Sequence, residues 1–480
     1  MSGSGWVDIL PLMTLAATPL AVMLLVAVKR HYLLSTIITF VGLALSFALL
    51  PVVTTQSSRQ ATPLFVIDNF SLFYMGILFT AALTVVVLSY RYLKERAGNL
   101  EEYWMLLLLA TLGSSILVAS THFASFFLGL EILSISLYAL VGYNRASAIG
   151  TEAAVKYLVL AAASTAFLLF GMALVYAEIG SMEFSQIASA QGGLTDGARV
   201  FFLSGLGLIG VGIGFKLAVV PFHMWAPDVY QGAPAPITAF IATVSKGGVF
   251  AILLRFFTLV NFQTDSSLFW IFSIIAIASM FAGNLLALLQ NNVKRILAYS
   301  SISHFGYLLV AFLAAGNLRV TAVTLYLIVY FIANVGAFAV VTALSTKERD
   351  ADRLEDFRGL FWTRPYVAGI FSGMLLSLAG MPFTAGFVGK FYLVAAGAQS
   401  SLWGLIIILV LTSVIGLFYY TRIILVMYQK PESEEQVRVP FLAALVSPTD
   451  GFVLLMSSAL AVWLGIFPSP LIHIIPTIVG

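Results

Sequence analysis

The sequence predicts an all-α polytopic membrane protein of about 14 transmembrane helices. Hydrophobic residues make up 60% of the chain and charged ones only 9%, with a mean hydropathy of +1.01, far from soluble averages. Apolar runs long enough to span a bilayer as helices recur from one end to the other. The basic residues gather in alternate connections between those runs, as the positive-inside rule requires of a polytopic protein.

The first run, near 7–28, has Asp8 and no positive charge at its head, and Lys29-Arg30-His31 directly behind it. A signal peptide has the reverse order, so this run reads as a first span. Further spans are expected near 33–53, 70–90, 103–120, 123–143, 154–177, 200–221, 235–259, 267–289, 296–315, 320–344, 365–395, 402–427 and 450–470. A short linker around Thr121-His122 separates two spans within 103–143; the alternative there is one long tilted helix. With the 29–31 loop inside, 17 of the 24 bases fall at inside loops or inside helix ends. Arg59, Arg199 and Arg319 fall outside, and Lys216, Lys246, Arg255 and Lys390 lie within spans. An even number of spans then leaves both termini outside. The polar connections Lys347–Arg364 and Lys430–Pro440, the latter with Glu432, Glu434 and Glu435, read as solvated inside loops or docking segments.

The spans group into blocks: 1–100 with spans 1–3, 101–262 with spans 4–8, 263–430 with spans 9–13, and 431–480 with a loop and span 14. Each five-span block carries a proline in its fourth span, in Pro221-Phe222-His223 and Pro382-Phe383-Thr384. Proline removes a helix donor and clashes with the preceding turn, so Pro221 and Pro382 mark helix breaks. Five is odd, so consecutive five-span blocks face opposite ways: two inverted five-helix repeats, each with a broken helix, are expected.

Four charges stand alone in this apolar sequence. Glu131 is the only full charge between Tyr103 and Asn144, Lys216 between Val200 and Pro227, Lys246 between Val229 and Leu254, and Lys390 between Pro365 and Thr421. A charge at the bilayer centre costs roughly 2.5–3.5 kcal/mol on insertion scales, and such residues mark ion pathways and proton relays. Desolvation favours the neutral form of a lysine, which makes a buried lysine a proton carrier, and a nearby carboxylate opposes that effect. Glu131 is the one carboxylate placed to act in this way, by switching or as a static ion pair. Lys216, five residues before Pro221, is too deep to snorkel to an interface. Ser245-Lys246-Gly247-Gly248 leaves room for water beside the amine, and Gly386 and Gly389 before Lys390 admit a bent backbone or a close neighbour.

Lesser candidates carry bland alternatives. His304, in Ser300-Ser301-Ile302-Ser303-His304, is either a relay between Lys246 and Lys390 or a hydrogen-bonded packing histidine. His223 either links inside water to Lys216 or caps the broken helix. Lys156 joins an access route or anchors an interface, and Lys294 beside Arg295 belongs to a relay or to the positive-inside anchor. The absence of cysteine excludes disulfides, thiolate metal sites and iron–sulfur ligation in this chain. The five histidines are dispersed, so no metal site is expected, and a net charge of +3 without a basic patch gives no sign of nucleic acid.

The chain resembles the antiporter-like membrane subunits of respiratory NADH:quinone oxidoreductase, and among them the subunit N type. The residues that carry the resemblance are Phe126-Phe127-Leu128-Gly129-Leu130-Glu131 and the run from Gly214 through Lys216, Pro221, His223 and Trp225 to Tyr230. Ser245-Lys246, Leu297–His304 and Gly380–Phe387 extend it over essentially the whole chain. The resemblance implies a 14-helix proton-translocating subunit in which Glu131 and Lys216 form a buried pair gating uptake. Lys246 would be the central carrier and Lys390 the one nearest the exit. It implies no redox chemistry in this chain: FMN, iron–sulfur clusters and quinone would belong to partner subunits. Sister antiporter-like subunits, a small adjacent membrane subunit and the lipid bilayer are the implied neighbours. The short tails favour a bacterial cytoplasmic membrane. Lysine at 390, and an end soon after the last span, favour subunit N over its sisters. The alternative within the wider family is a subunit of a multi-subunit cation/proton antiporter, a membrane-bound hydrogenase or a ferredoxin-dependent relative.

Overall fold

The computed structural model describes residues 5–53, 59–96, 98, 100–260, 266–316, 318–430 and 446–479. A short turn, α1 (Gly5–Asp8), leads into α2 (Leu10–Val28), whose second residue is Pro11, a position where a missing N–H costs nothing. His31 caps α3 (Tyr32–Ala48), which runs on through α4 (Leu50–Val53). The hairpin of β1 (Arg59–Thr62) and β2 (Phe65–Ile67) is antiparallel, with Arg59 opposite Ile67. Asp68 and Ser71 form a reciprocal capping box at the head of α5 (Asn69–Lys94).

The 103–143 region is two helices, α6 (Glu101–Ala119) and α7 (Phe123–Val141). The His122 ring accepts the Ala124 amide at 3.1 Å and so starts the second of them. Ser147 caps α8 (Ala148–Ile179), which ends on left-handed Gly180 and is followed by α9 (Phe184–Ala190). The first broken span is α10 (Asp196–Leu217), ending on Ala218 with φ of 58°, then α11 (Trp225–Gly232). Next come α12 (Ala235–Phe240), one π-turn at Ile241–Ser245 and α13 (Lys246–Leu259), which together make one crossing. The helices α14 (Ser266–Leu288), α15 (Val293–Leu313) and α16 (Leu318–Leu344) follow, then α17 (Leu360–Thr363). The second broken span is α18 (Pro365–Ala379) and α19 (Ala385–Gln399), so the 365–395 run is two helices rather than one. The chain closes with α20 (Trp403–Tyr428), α21 (Pro448–Ile466) and α22 (Ser469–Val479).

Thirteen helices among the described residues are long and apolar enough to cross a membrane, and the broken 365–395 run contributes the shorter apolar helix α18 and then α19. The hairpin and α22 are additions to the sequence-based expectation. Most of the Lys430–Pro440 connection lies outside the described residues. The burial pattern locates the centre: Ala235–Leu259 and Val293–Leu313 are buried along their full apolar windows, and Leu318–Leu344 nearly so. The helices α2, α3, α8 and α21 bury only a third of theirs and form the rim. Rim and centre meet through small residues. A Cβ on Gly171 of α8 would lie 2.6 Å from the Gly205 carbonyl of α10, so these backbones touch directly.

Arg255 lies in α13, at the end of the bundle where Asp68 starts α5. Its two terminal nitrogens donate to the two Asp68 oxygens at 2.9 and 2.8 Å, its Nε donates to the Val118 carbonyl at 3.1 Å, and its guanidinium lies 4.6 Å from the Phe70 ring centre. One side chain thus joins α5, α6 and α13. Arg255→Leu should lower the thermal stability of the detergent-solubilised protein by about 2 kcal/mol, the scale of hydrogen bonds to a charged group. An unchanged melting midpoint would show that the clamp adds nothing.

Candidate functional site

Helix breaks free backbone groups where lipid offers no partner, so protein must satisfy them. At the first break the Trp225 indole donates to the Phe215 carbonyl at 2.8 Å, and the Val220 amide donates to Ser279 Oγ of α14 at 2.9 Å. At the second, Lys390 itself reaches back from α19 to the Ala379 carbonyl at 2.7 Å. Gly386 lies so close to α18 that a Cβ there would fall 1.6 Å from the Ser377 carbonyl. The chain can fold back at this point only because residue 386 is glycine.

Lys216 is 2% exposed in the last turn of α10. Its ammonium lies 5.0 Å from the Tyr157 ring centre and 5.5 Å from that of Tyr138, with the Tyr157 hydroxyl accepting at 3.5 Å. Tyr157 in turn stacks on Trp225 at 4.6 Å, so the residue that caps the break also fixes the lysine's aromatic floor. Glu131 is half-buried on α7 between Leu128 and Ile135, which are 52% and 62% exposed. It accepts a hydrogen bond from Thr165 Oγ1 at 2.9 Å and, among the described residues, makes no ion pair within 4.0 Å. The expected buried Glu131–Lys216 pair is therefore apart in this structure.

Lys246 is fully buried, at the first residue after the π-turn. Single π-turns inside helices frequently mark functional sites. Its Nζ donates to Ser301 Oγ at 2.6 Å and lies 4.8 Å from the Phe305 ring centre. Tyr330 donates to the same Ser301 oxygen at 2.7 Å, and Tyr230 approaches it at 3.4 Å. The glycines beside Lys246 do not make room for water. A Cβ on Gly247 would strike the Phe331 ring at 2.4 Å, and one on Gly248 would lie 3.0 Å from Ser114, so both serve close helix packing.

His304 stands between two phenols: Tyr326 Oη is 2.7 Å from Nδ1 and Tyr420 Oη is 3.1 Å from Nε2, with Tyr420 also bonded to Ser300. An imidazole so placed can take a proton at one nitrogen and give one from the other. Its ring centre is 5.4 Å from that of Tyr330 and 5.6 Å from that of Tyr307. Lys390 closes the line, donating to Ser413 Oγ at 2.6 Å with its ammonium 5.2 Å from the Tyr307 ring centre. Tyr307 accepts from Asn284, whose amide oxygen accepts from Tyr419.

The family described as "NADH:quinone oxidoreductase/Mrp antiporter, TM" matches residues 120–416. Relatives called NADH-quinone oxidoreductase subunit N match nearly end to end. That of Ectopseudomonas mendocina is 43% identical over 98% of this chain and 95% of its own, and that of Nitrosospira multiformis 49% identical over the same shares. The chain belongs to the NADH-quinone oxidoreductase subunit N family. A chain of respiratory complex I from Thermus thermophilus superposes with a TM-score of 0.80 at 32% identity, covering 96% of this chain and 98% of that one. A chain of the Mrp complex from Dietzia superposes with a TM-score of 0.86 over all of this chain and 97% of its own, but at 21% identity it speaks only for the fold.

In this subunit N member the lesser candidates divide. His223 is buried beside the break, and among the described residues its ring nitrogens make no hydrogen bond of full geometry. Lys156 is half exposed and pairs with Glu152 at 2.7 Å and Asp228 at 2.9 Å, and Asp228 also holds Arg295. Lys294 is fully buried at the start of α15, donating to the Ala233 carbonyl at 2.6 Å and to Asp350 of the 347–364 connection at 2.8 Å. Sequence reasoning missed the partners of the lysines. It singled out none of Tyr157, Tyr230, Tyr326, Tyr330 and Tyr420, which line the polar axis. The available signal was the four-residue spacing of Tyr326 and Tyr330, which puts two phenols on one helix face.

Asp350 ties the Lys294 end together, accepting also from the Tyr92 hydroxyl at 2.7 Å, with Arg96 at 3.4 Å. Burial alone would push its carboxyl up, but Lys294, Tyr92 and Arg96 outweigh burial and hold it below the usual carboxylate range. A depressed carboxyl contributes stability above its unfolded pKa of about 3.9, lost as pH falls through the lower folded value. Asp350→Asn leaves Lys294 buried and unpaired, which costs about 3–5 kcal/mol. The expected gap in melting midpoint between wild type and variant is full at pH 7 and closes under acid below about pH 4. A gap that persists there would mean that packing, not charge, is what Asp350 supplies.

Proposed function

We propose that this chain is the proton-translocating subunit N of a membrane-bound NADH:quinone oxidoreductase and moves protons along Glu131, Lys216, Lys246 and Lys390. The observation that carries the reading is one arrangement repeated three times. Lys216, Lys246 and Lys390 are 2%, 0% and 9% exposed, and each ammonium lies over an aromatic ring beside a hydroxyl acceptor. A lysine kept to pack the bundle would need one fixed anionic partner; among the described residues these three have hydroxyls and carbonyls instead. Hydroxyls both accept and donate, so they pass protons on.

A proton taken up near Lys216 would move to Lys246, then by Ser301, Tyr330 and His304 towards Tyr307 and Lys390. Tyr330 and His304 meet through ring contact rather than a hydrogen bond, so that step needs a water or a ring rotation. Moving one charge against 100 mV costs about 2.3 kcal/mol, which the redox reaction of the complex supplies. The chain works as a membrane subunit of a multi-subunit respiratory complex. FMN, iron–sulfur clusters and quinone belong in this reading to partner subunits, with sister antiporter-like subunits and a small membrane subunit alongside. The reading also keeps the two inverted blocks, 101–262 and 263–430, and a bacterial cytoplasmic membrane with both termini outside. The subunit N relatives at 43–49% identity favour it over a cation/proton antiporter.

In membrane vesicles carrying the assembled complex, Lys246→Ala should reduce NADH-driven proton uptake severalfold. Lys246→Arg is the sharper variant. Arginine keeps the charge but does not release its proton, so a carrier role predicts that it fails as badly, whereas a structural charge predicts that it rescues. Wild-type proton uptake by either assembled variant would remove Lys246 from the path.

A further inference from the structure

Glu131 and Lys216 are held apart by partners that sit on one helix. We infer that Thr165 of α8 is a positioning residue, a latch whose hydroxyl holds the Glu131 carboxylate in the separated state and so sets how often Glu131 pairs with Lys216. The inference rests on the proton path proposed above. Thr165 Oγ1 donates to Glu131 Oε1 at 2.9 Å, within ordinary hydrogen-bond distance. Two turns earlier on the same helix, Tyr157 holds Lys216 by its ring and, more weakly, by its hydroxyl. Tyr138, two turns beyond Glu131 on α7, closes the lysine's cradle from the other side.

The Glu131 helix α7 and the Lys216 helix α10 both pack against α8, which therefore grips both charges. The α8–α10 contact brings Gly171 and Gly205 backbone to backbone, and Leu168 of α8 seats over Gly212 of α10, so α8 and α10 are closely packed and α8 is in position to act on both charges. On its other side α8 is a rim helix, with Val159 60% and Phe170 59% exposed. A displacement of α8 would loosen the Thr165 and Tyr157 contacts together and return carboxylate and ammonium to one another.

Thr165→Val keeps the shape and removes the donor. A lost hydrogen bond to a carboxylate shifts the balance towards the paired state by roughly tenfold or more. In vesicles carrying the assembled complex, NADH-driven proton uptake should then fall severalfold, and Thr165→Ser, which keeps the hydroxyl, should restore it. In a Glu131→Gln background the same change should add little, because the latch acts through the carboxylate. Wild-type proton uptake by Thr165→Val, or a Thr165→Ser variant as poor as valine, would overturn the latch. The two readings fail differently. If Glu131→Gln impairs uptake and Thr165→Val does not, the latch alone is wrong; if Glu131→Gln also pumps like wild type, the Glu131–Lys216 path falls with it.

Discussion

Hydrocarbon offers no hydrogen bonds, and the helix breaks and the polar axis of this bundle are arranged around that lack. An unbroken helix satisfies its own backbone, so a crossing can be interrupted only where side chains stand in for the missing turn. Trp225 and Ser279 do so at the first break and Lys390 at the second. The second solution fuses two jobs, because the group that completes the backbone is also a candidate proton carrier. A proton cannot leave Lys390 without altering the donors offered to the Ala379 carbonyl, and the break cannot flex without moving Lys390. At the first break the roles are divided. The indole holds the backbone, and Lys216 is left over aromatic rings with only a long contact to a hydroxyl.

The same scarcity explains why the polar residues form a line rather than isolated pockets. Many buried hydroxyls here turn back to the carbonyl one turn earlier, as Thr111 and Thr243 do, but those on the axis meet side chains of neighbouring helices. Ser301 collects donors from Lys246, Tyr330 and Tyr230, and His304 lies between Tyr326 and Tyr420. Each pairing removes a cost of burial, and the sum is a chain of groups able to exchange protons, laid along the most deeply buried helices, α13, α15 and α16. In the proposed path, stability and transport draw on one set of contacts.

The spans were legible because a membrane helix must be apolar from end to end, whatever surrounds it. Pro221 and Pro382 announced the breaks, and the isolation of Lys216, Lys246 and Lys390 marked the candidate site, since a charge in such a run is costly to bury. The partners were not legible. Ser301 is 55 residues from Lys246, Thr165 is 34 from Glu131 and Ser413 is 23 from Lys390, so only the folded bundle pairs them. Local reading also put water beside Gly247, where tertiary packing puts the Phe331 ring. The hairpin β1–β2 escaped because its strands are three and four residues long, too short to alternate visibly. Glu131 was expected in the interior, yet its helix turns that face outward, which composition does not reveal.

The π-turn at Ile241–Ser245 reads in sequence as ordinary helix, yet it holds one residue more than an α-turn would need between the same flanks. The segments on either side therefore differ by one unit of length from the shortest chain that could connect them. Removing a single residue from this stretch would leave a regular helix with α12 and α13 each still seated against the same neighbours. Alignments that place a one-residue gap here would thus compare chains with the same crossing and a different local winding before the lysine. Gaps elsewhere in the three central helices would rotate a whole buried face and should be correspondingly rare.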